Sequence, residues 1–198
     1  MYLIAGLGNP GRQYALTRHN IGFEVIDYLV NELKLGGKKV KFNGEYYTHI
    51  INGEKIIFLK PLTYMNLSGE CVKAYVDYFD IQTNELMIIY DDTSFDAATV
   101  RVKKSGSSAG HKGMEDIILN LNSEDIPRIR IGIGQAEYDI KNHVLSRFSE
   151  QEITLMQQAV KKAAQAVMLF IEKDINTAMN LINTKTKNKD INKPDENE

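Results

Sequence analysis

The spacing of apolar residues changes along the chain and predicts both strands and helices. Residues 2–7 form a continuous apolar run that stops at Gly8 and Pro10, a pattern typical of a buried strand followed by a loop. From residue 21 to residue 35 the apolar positions recur at helical spacing, and Gly36 follows directly. This arrangement indicates an amphipathic helix and its end.

The middle of the chain predicts a hairpin, a helix and a buried strand. Residues 45–51 and 55–59 are strand-like and flank Asn52-Gly53, a pair that takes the positive backbone angles of a tight hairpin turn. Residues 72–79 have helical spacing, and the run at 86–90 is apolar throughout and ends at Asp91-Asp92. Carboxylates at the end of a buried strand suggest a functional site there.

The second half of the chain continues this alternation of strands and helices. We predict a weak strand at 99–103, a helix at 114–121, an alternating strand at 128–134, and helices at 149–172 and up to 182. Residues 1–183 are therefore predicted to form one compact α/β domain with a mixed β-sheet sandwiched between helices. Residues 184–198 contain too little apolar surface to offset the cost of ordering, so this polar tail is expected to be disordered.

Composition narrows the class of protein without identifying it. The chain has 198 residues, is 43% hydrophobic and carries a formal net charge of -2, as an ordinary globular protein does. A single cysteine, Cys71, excludes an internal disulfide and fits a reducing compartment. Since no apolar run is long enough to span a bilayer and no basic leader precedes the first strand, we expect a cytoplasmic protein without a membrane partner.

Two glycine-containing motifs each have a catalytic interpretation and a simpler one. Residues 6–11 match the three-glycine dinucleotide fingerprint, but no helical apolar stripe follows at once, so the glycines could merely turn the chain. Residues 106–110 match the nucleophile elbow of serine hydrolases, with Ser108 as nucleophile and His143 downstream. The preceding segment is too charged for the buried strand that this elbow requires, which leaves a small-residue loop as the alternative.

The four histidines include one candidate general base. His19, His49, His111 and His143 show no pair at a metal-ligand spacing, so no metal site is predicted. His19 lies in a polar loop, and a loop histidine near strand-end carboxylates is suited to accept a proton. The alternative is an ordinary surface histidine without a function.

Basic and polar residues also allow two interpretations. The densest set of cations in the folded region would form a phosphate-binding patch if its segments adjoin, or else a solvated surface. Its members are Arg101, Lys103, Lys104, Lys112, Arg128 and Arg130. Asn66 or Ser68, ahead of the helix at 72–79, could simply cap that helix.

Several of these segments together resemble bacterial peptidyl-tRNA hydrolase, the esterase that frees peptides from tRNA after premature release from the ribosome. The similarity covers most of residues 1–182. It rests on the order and spacing of Gly6-Leu7-Gly8-Asn9-Pro10-Gly11, Tyr14-Ala15-Leu16-Thr17-Arg18-His19-Asn20-Ile21-Gly22, Tyr64-Met65-Asn66-Leu67-Ser68-Gly69, Asp91-Asp92, Gly110-His111-Lys112-Gly113 and Arg128-Ile129-Arg130-Ile131-Gly132-Ile133-Gly134.

The resemblance implies roles for particular positions. His19 would be the catalytic base and Asp91 its assistant, while Lys103 and Arg130 would contact the tRNA end. The remaining positions would form the substrate cleft: Asn9, Tyr14, Tyr64, Met65, Asn66, His111 and Lys112. The family fold is a compact α/β domain with a mixed sheet between helices.

The chain departs from the family pattern at two places. Lys112 stands where the family usually has Asn, and an ammonium group cannot accept a hydrogen bond. Residues 93–98 replace the usual Pro-Pro-Gly turn, which predicts a more adaptable loop. The lysine could act on the His19 imidazole by its charge, or could extend to solvent or to a tRNA phosphate.

The expected reaction is hydrolysis of the ester between a peptide and the terminal ribose of tRNA, without metal or cofactor. His19 would take a proton from the attacking water and Asp91 would orient the imidazole, while backbone N–H groups near Gly110 and His111 would stabilise the oxyanion. The substrate is peptidyl-tRNA, and we expect a monomer. The alternatives are a serine esterase acting through Ser108 and a non-catalytic module that binds the tRNA end.

Overall fold

A seven-stranded mixed sheet with helices on both faces forms the framework of the chain. The computed structural model describes residues 1–136 and 139–184. The strands are β1 (Tyr2–Gly6), β2 (Lys39–Lys41), β3 (Gly44–Ile51), β4 (Glu54–Pro61), β5 (Leu86–Asp92), β6 (Val100–Lys103) and β7 (Arg128–Gly132). The helices are α1 (Ile21–Glu32), α2 (Ser68–Phe79), α3 (Lys112–Leu121), α4 (Ile140–Leu145), α5 (Glu150–Glu172) and α6 (Ile175–Asn183).

The strand order explains which parts of the chain meet. The sheet runs β2-β3-β4-β1-β5-β7-β6. Parallel pairing joins β4 to β1, β1 to β5 and β5 to β7, and antiparallel pairing adds β2, β3 and β6 at the two sides. Because the central strands are parallel, their carboxyl ends share one edge of the sheet, where the loops after β1 and β5 come together.

The two faces of the sheet are covered by different helices. Alternate residues of β1, β4 and β5, such as Ile4, Phe58 and Ile89, pack with α1, α5 and α6. The intervening residues, such as Leu3, Leu59 and Ile88, pack with α2 and α3. Burial on both faces explains why these strands are continuous apolar runs in the sequence. The predicted α/β class and the mixed sheet between helices are confirmed.

The local predictions hold with small shifts of boundary. The hairpin turns at Asn52-Gly53, both of which have positive φ angles. β2 and α4 were not predicted, because each spans less than two periods of its own pattern. Of the polar tail predicted at 184–198, residues 185–198 lie outside the described residues. Within 1–136 and 139–184 no helix is long and apolar enough to cross a membrane.

Close packing of α1 on the central strands explains the first glycine of the sequence motif. A Cβ atom on Gly6 would lie 2.1 Å from the carbonyl oxygen of Gly22, and one on Gly22 would lie 2.4 Å from the Leu7 nitrogen. The chain after β1 forms two 3-10 turns, Arg12–Tyr14 and Arg18–Asn20, before α1 begins. The glycines thus permit the approach of α1 to β1, and the geometry of a dinucleotide site is not formed.

Candidate active site

A cleft of about 190 Å³ lies at the carboxyl edge of the sheet, beside the end of β5. Its wall combines the 3-10 turn Arg18–Asn20, the end of β5, the loop before α3 and the helix α4. The chemically active side chains in this wall include His19, Asp91, Asp92, Ser108, His111 and Lys112. The structure therefore brings the predicted base and the predicted carboxylate together in one concave site.

Two imidazoles donate to the same oxygen of Asp91. His19 Nδ1 lies 2.7 Å from Asp91 Oδ1, and His111 Nε2 lies 3.0 Å from that oxygen. An ionised carboxylate only accepts hydrogen bonds, so each of these nitrogens carries the proton. His19 is then left with a bare Nε2, which is the atom that a general base needs.

The ionisation of Asp91 is maintained by these contacts. Burial raises the pKa of this carboxyl, whose side chain is 2% exposed. The two imidazoles outweigh this effect and hold the pKa well below its ordinary value of 3.8. Asp91 is therefore a carboxylate throughout the neutral range, and its charge can stabilise an imidazolium on His19.

The side chains of His19, Asp91 and His111 lie close enough together to be considered as metal ligands. Their ligand atoms are all within 4.8 Å of one another. However, His111 Nδ1 accepts a hydrogen bond from the Met114 backbone N–H at 3.2 Å. A neutral imidazole with an accepting Nδ1 has its proton on Nε2, so the nitrogen that faces Asp91 cannot bind a metal without losing this bond. The donor set fits proton transfer better than metal binding.

A clamp centred on Arg18 fixes the turn that carries His19. The Arg18 guanidinium donates to both carboxylate oxygens of Glu152 at 2.8 Å and to the Ile133 carbonyl at 2.9 Å. It also stacks over Phe148 at 4.7 Å, while the Arg18 backbone N–H donates to the Ser146 carbonyl. These contacts join the turn to the start of α5, and sequence reasoning did not assign this role to Arg18.

Asn20 is a second positioning residue that the sequence analysis missed. Its side chain accepts from the Asn9 backbone N–H at 2.8 Å and donates to the Asn9 carbonyl at 3.0 Å. The Asn9 side-chain oxygen accepts in turn from the Met65 N–H at 2.8 Å. Asn20 thereby connects the His19 turn to two of the predicted substrate positions. A buried amide directly after the candidate base was the available signal.

The other predicted substrate residues lie along one side of the site. Met65 is buried and contacts Gly113, at the start of α3. The rings of Tyr14 and Tyr64 meet edge to face at 6.5 Å, and Asn66 is exposed. Neither Asn66 nor Ser68 caps α2, since the Ser68 hydroxyl donates to the Met65 carbonyl. Neither these four residues nor Asn9 lines the 190 Å³ cleft itself.

Not all members of the predicted basic patch are free to bind phosphate. Arg128 is buried, and its guanidinium donates to the carbonyls of Ser107, Glu124 and Ile126. It therefore holds the loop before α3 instead of facing a phosphate. Arg101 donates to the Asn183 carbonyl at the end of α6.

The two cations expected to contact tRNA occupy different surroundings. Arg130 pairs with Asp92 and stacks over Phe95 at 4.7 Å, so its side chain is only 11% exposed. Lys103 is exposed. It pairs in register with Arg128, the first residue of β7, and so lies farther than Arg130 from the carboxyl end of that strand. Asp92 Oδ1 also accepts from the Ser94 N–H at 2.8 Å. This contact ties the loop that replaces Pro-Pro-Gly to the end of β5.

Lys112 projects away from the imidazoles. Its ammonium group lies 2.9 Å from Glu115 Oε2, and its side chain is 70% exposed. Lys112 is among the residues that line the cleft, while its charge is paired along α3 with Glu115. This geometry favours the interpretation that the lysine extends to solvent or phosphate over direct action on His19.

Ser108 lines the cleft but lacks the surroundings of a nucleophile. Its hydroxyl accepts from the Gly110 N–H at 3.3 Å. His143 Nε2 lies 3.0 Å from the Gly134 carbonyl, and within the described ranges no histidine side chain hydrogen-bonds the Ser108 hydroxyl. The strand before this loop, β6, is an edge strand. The nucleophile elbow is therefore not formed.

Comparison with known proteins identifies the family. A sequence model of peptidyl-tRNA hydrolase matches residues 3–190. The chain belongs to the peptidyl-tRNA hydrolase family. A peptidyl-tRNA hydrolase from a Thermoanaerobacter species is 49% identical over 92% of this chain and 100% of its own length. One from Clostridium beijerinckii is 44% identical over 92% of this chain and 96% of its own.

Solved structures agree with this assignment. The crystal structure of peptidyl-tRNA hydrolase from Acinetobacter baumannii has a TM-score of 0.87 and 34% identity, and covers 93% of this chain and 95% of its own. Membership of the peptidyl-tRNA hydrolase family makes the chain an enzyme, a hydrolase of translation. The alternative of a dinucleotide-binding protein is thereby wrong.

Proposed function

We propose that the chain hydrolyses the ester of peptidyl-tRNA with His19 as the general base. The observation that carries this proposal is the hydrogen bond of 2.7 Å between His19 Nδ1 and Asp91 Oδ1. It directs the Nδ1 proton to the carboxylate and leaves Nε2 free. Asp91 acts as the orienting partner whose charge favours the protonated imidazole during the reaction.

The reaction needs two proton transfers and no cofactor. Water attacks the ester carbonyl carbon while its proton passes to His19 Nε2, which gives a tetrahedral intermediate. This intermediate collapses by breaking the bond to the ribose oxygen, and the imidazolium returns a proton to that oxygen. Peptide acid and tRNA with a free ribose hydroxyl are the products, and the base is restored.

Substrate is positioned by groups around the cleft. The Asn9 side-chain oxygen is occupied by Met65, so we assign its NH2 group to the substrate. Asn66, Tyr14 and Tyr64 extend this surface on the exposed side. The backbone N–H groups at the first turn of α3, apart from that of Met114, which donates to His111, would stabilise the developing oxyanion.

The tRNA end is bound by cations on the same side of the molecule as β6 and β7. Lys103 is exposed and suited to a phosphate contact, whereas Arg130 must exchange or share its pairing with Asp92 to reach one. We further propose that the chain acts as a monomer in the cytoplasm, because one chain supplies every residue named for the cleft.

One experiment separates the enzyme from its two alternatives. Release of peptide from peptidyl-tRNA is measured for the wild type, His19→Ala, Asp91→Asn and Ser108→Ala, with tRNA binding in parallel. We expect His19→Ala to lose about 10²- to 10⁴-fold in rate while binding persists, Asp91→Asn to lose less, and Ser108→Ala to remain active. Loss of activity only in Ser108→Ala would indicate a serine esterase. Binding without turnover by the wild type would indicate a binding module.

A further inference from the structure

His111 is fixed at both of its ring nitrogens. Nδ1 accepts from the Met114 backbone N–H at 3.2 Å, which makes His111 the N-cap residue of α3. Nε2 lies 3.0 Å from Asp91 Oδ1, and the side chain is 9% exposed. The ring packs on Tyr90 at a centroid distance of 4.7 Å and on His19 at 5.2 Å. Little of this side chain is left to contact a substrate.

The helix cap decides which nitrogen of His111 carries the proton. A backbone N–H can only donate, so Nδ1 must be the accepting, unprotonated nitrogen. The proton of the neutral ring is then on Nε2, directed at Asp91. The His111 imidazole thus couples the start of α3 to the orientation of the buried Asp91 carboxylate.

His111 completes the support of Asp91. In the described part of the chain, His19 and His111 are the two side chains that hydrogen-bond this carboxylate. A carboxylate held by His19 alone could rotate about its χ2 bond, which is a broad torsion. The His19 ring would then lose its fixed partner, and its two neutral tautomers would become closer in population.

We propose that His111 is a positioning residue for the reaction, which holds Asp91 Oδ1 opposite His19 Nδ1 and so keeps His19 Nε2 free of its proton. This role rests on the proposed function of His19. It differs from the substrate contact that the sequence resemblance implied for His111, because both polar atoms of the ring are engaged within the protein.

Two substitutions separate the bond to Asp91 from the helix cap. In His111→Asn the short amide oxygen replaces Nδ1 as a cap, and Asn is a favoured N-cap residue, but the side chain does not reach Asp91. In His111→Gln the longer amide places an N–H near the position of Nε2, and the cap is lost. We expect kcat to be about 10- to 100-fold lower in His111→Asn than in His111→Gln, with similar KM values, by analogy with other partners that orient a functional imidazole.

Other outcomes overturn the proposal. Higher kcat in His111→Asn than in His111→Gln would show that the cap is the function of His111. A rise in KM with unchanged kcat in both variants would show a substrate contact instead. Thermal unfolding of both variants verifies that each is folded at the assay temperature.

Nitrogen-15 NMR of the free protein tests the proposal without turnover. With both rings in their neutral forms, wild-type His111 should show a proton on Nε2 and His19 a proton on Nδ1. His19 in His111→Asn should show both tautomers. A proton on Nδ1 of wild-type His111 would refute the proposal even in an active enzyme. Full activity of His19→Ala would instead refute the proposed function while leaving these tautomers as they are.

Discussion

The clamp between Arg18 and Glu152 should stabilise the fold in a way that depends on pH. Glu152 receives two hydrogen bonds of 2.8 Å from the Arg18 guanidinium and further bonds from the Ser149 backbone N–H and hydroxyl. Glu152→Gln removes the charge but keeps an amide that completes the capping box of α5. The substitution therefore tests the ion pair with little change in shape.

The magnitude follows from the ionisation of Glu152. The Arg18 hydrogen bonds and those from Ser149 outweigh the opposing effect of burial and lower the pKa of this carboxyl from 4.5 to about 2. At about 1.36 kcal/mol per pKa unit, this difference corresponds to about 3 kcal/mol. Since a quarter of the Glu152 side chain is exposed, screening by water reduces the expected loss to about 1–2 kcal/mol.

The sign of the pH dependence is fixed by the direction of the pKa. A group whose pKa is lower in the folded than in the unfolded chain stabilises the fold fully above its unfolded pKa. For Glu152 this contribution is complete above about pH 5 and declines as the pH falls from 4.5 towards 2. The difference between wild type and Glu152→Gln should therefore shrink to less than about half at pH 3.

Urea unfolding at pH 7 and pH 3 measures this difference. Glu150→Gln is the matched control, because Glu150 lies in the same first turn of α5 and makes no ion pair within the described residues. This control removes the interaction of a charge with the helix dipole, which contributes about 0.3–1 kcal/mol, and leaves the clamp between Arg18 and Glu152 intact. Equal losses in both variants at pH 7, or a Glu152→Gln loss that persists at pH 3, would refute the reasoning.

Three further substitutions test other parts of the site. Lys112→Asn should leave the acid limb of the kcat/KM profile unmoved, because the lysine pairs with Glu115; a shifted limb would show that its charge acts on the base. Lys103→Ala should weaken tRNA binding and reduce its salt dependence by roughly one unit of slope, and an unchanged slope in binding titrations would exclude a phosphate contact. Asp92→Asn should lower the free energy of unfolding by about 3–5 kcal/mol, because Arg130 loses its partner in a largely buried pair. Denaturant unfolding measures this loss, and a value below about 1 kcal/mol would contradict the prediction.

Much of the fold could be predicted because the central strands and long helices have distinct periods. The run at 86–90 is apolar throughout because β5 lies between two covered faces, and α5 shows its apolar stripe over 23 residues. The order of the strands was not predictable in this way. It depends on which strands pair across 25 residues or more of chain, and the period of each strand alone contains no such information.

The site was predicted less evenly than the fold. The sequence resemblance named His19 and Asp91, and the structure places them in contact. The Arg18 clamp and the Asn20 bridge were missed, because their partners lie up to 134 residues away or are backbone atoms. Arg128 was misassigned because its three partners are backbone carbonyls, which no side chain in the sequence reveals.

The pleat of β5 explains why two adjacent aspartates have different roles. Successive strand residues point to opposite faces, and Tyr90 is paired in register with Arg130. Asp92 shares the face of Tyr90 and therefore meets Arg130, whereas Asp91 points away from this cation. The cation is thus neutralised by one carboxylate, and the other keeps its charge for the two imidazoles. A shift of β7 by one residue relative to β5 would remove this separation, so the register of two parallel strands determines which carboxylate can assist His19.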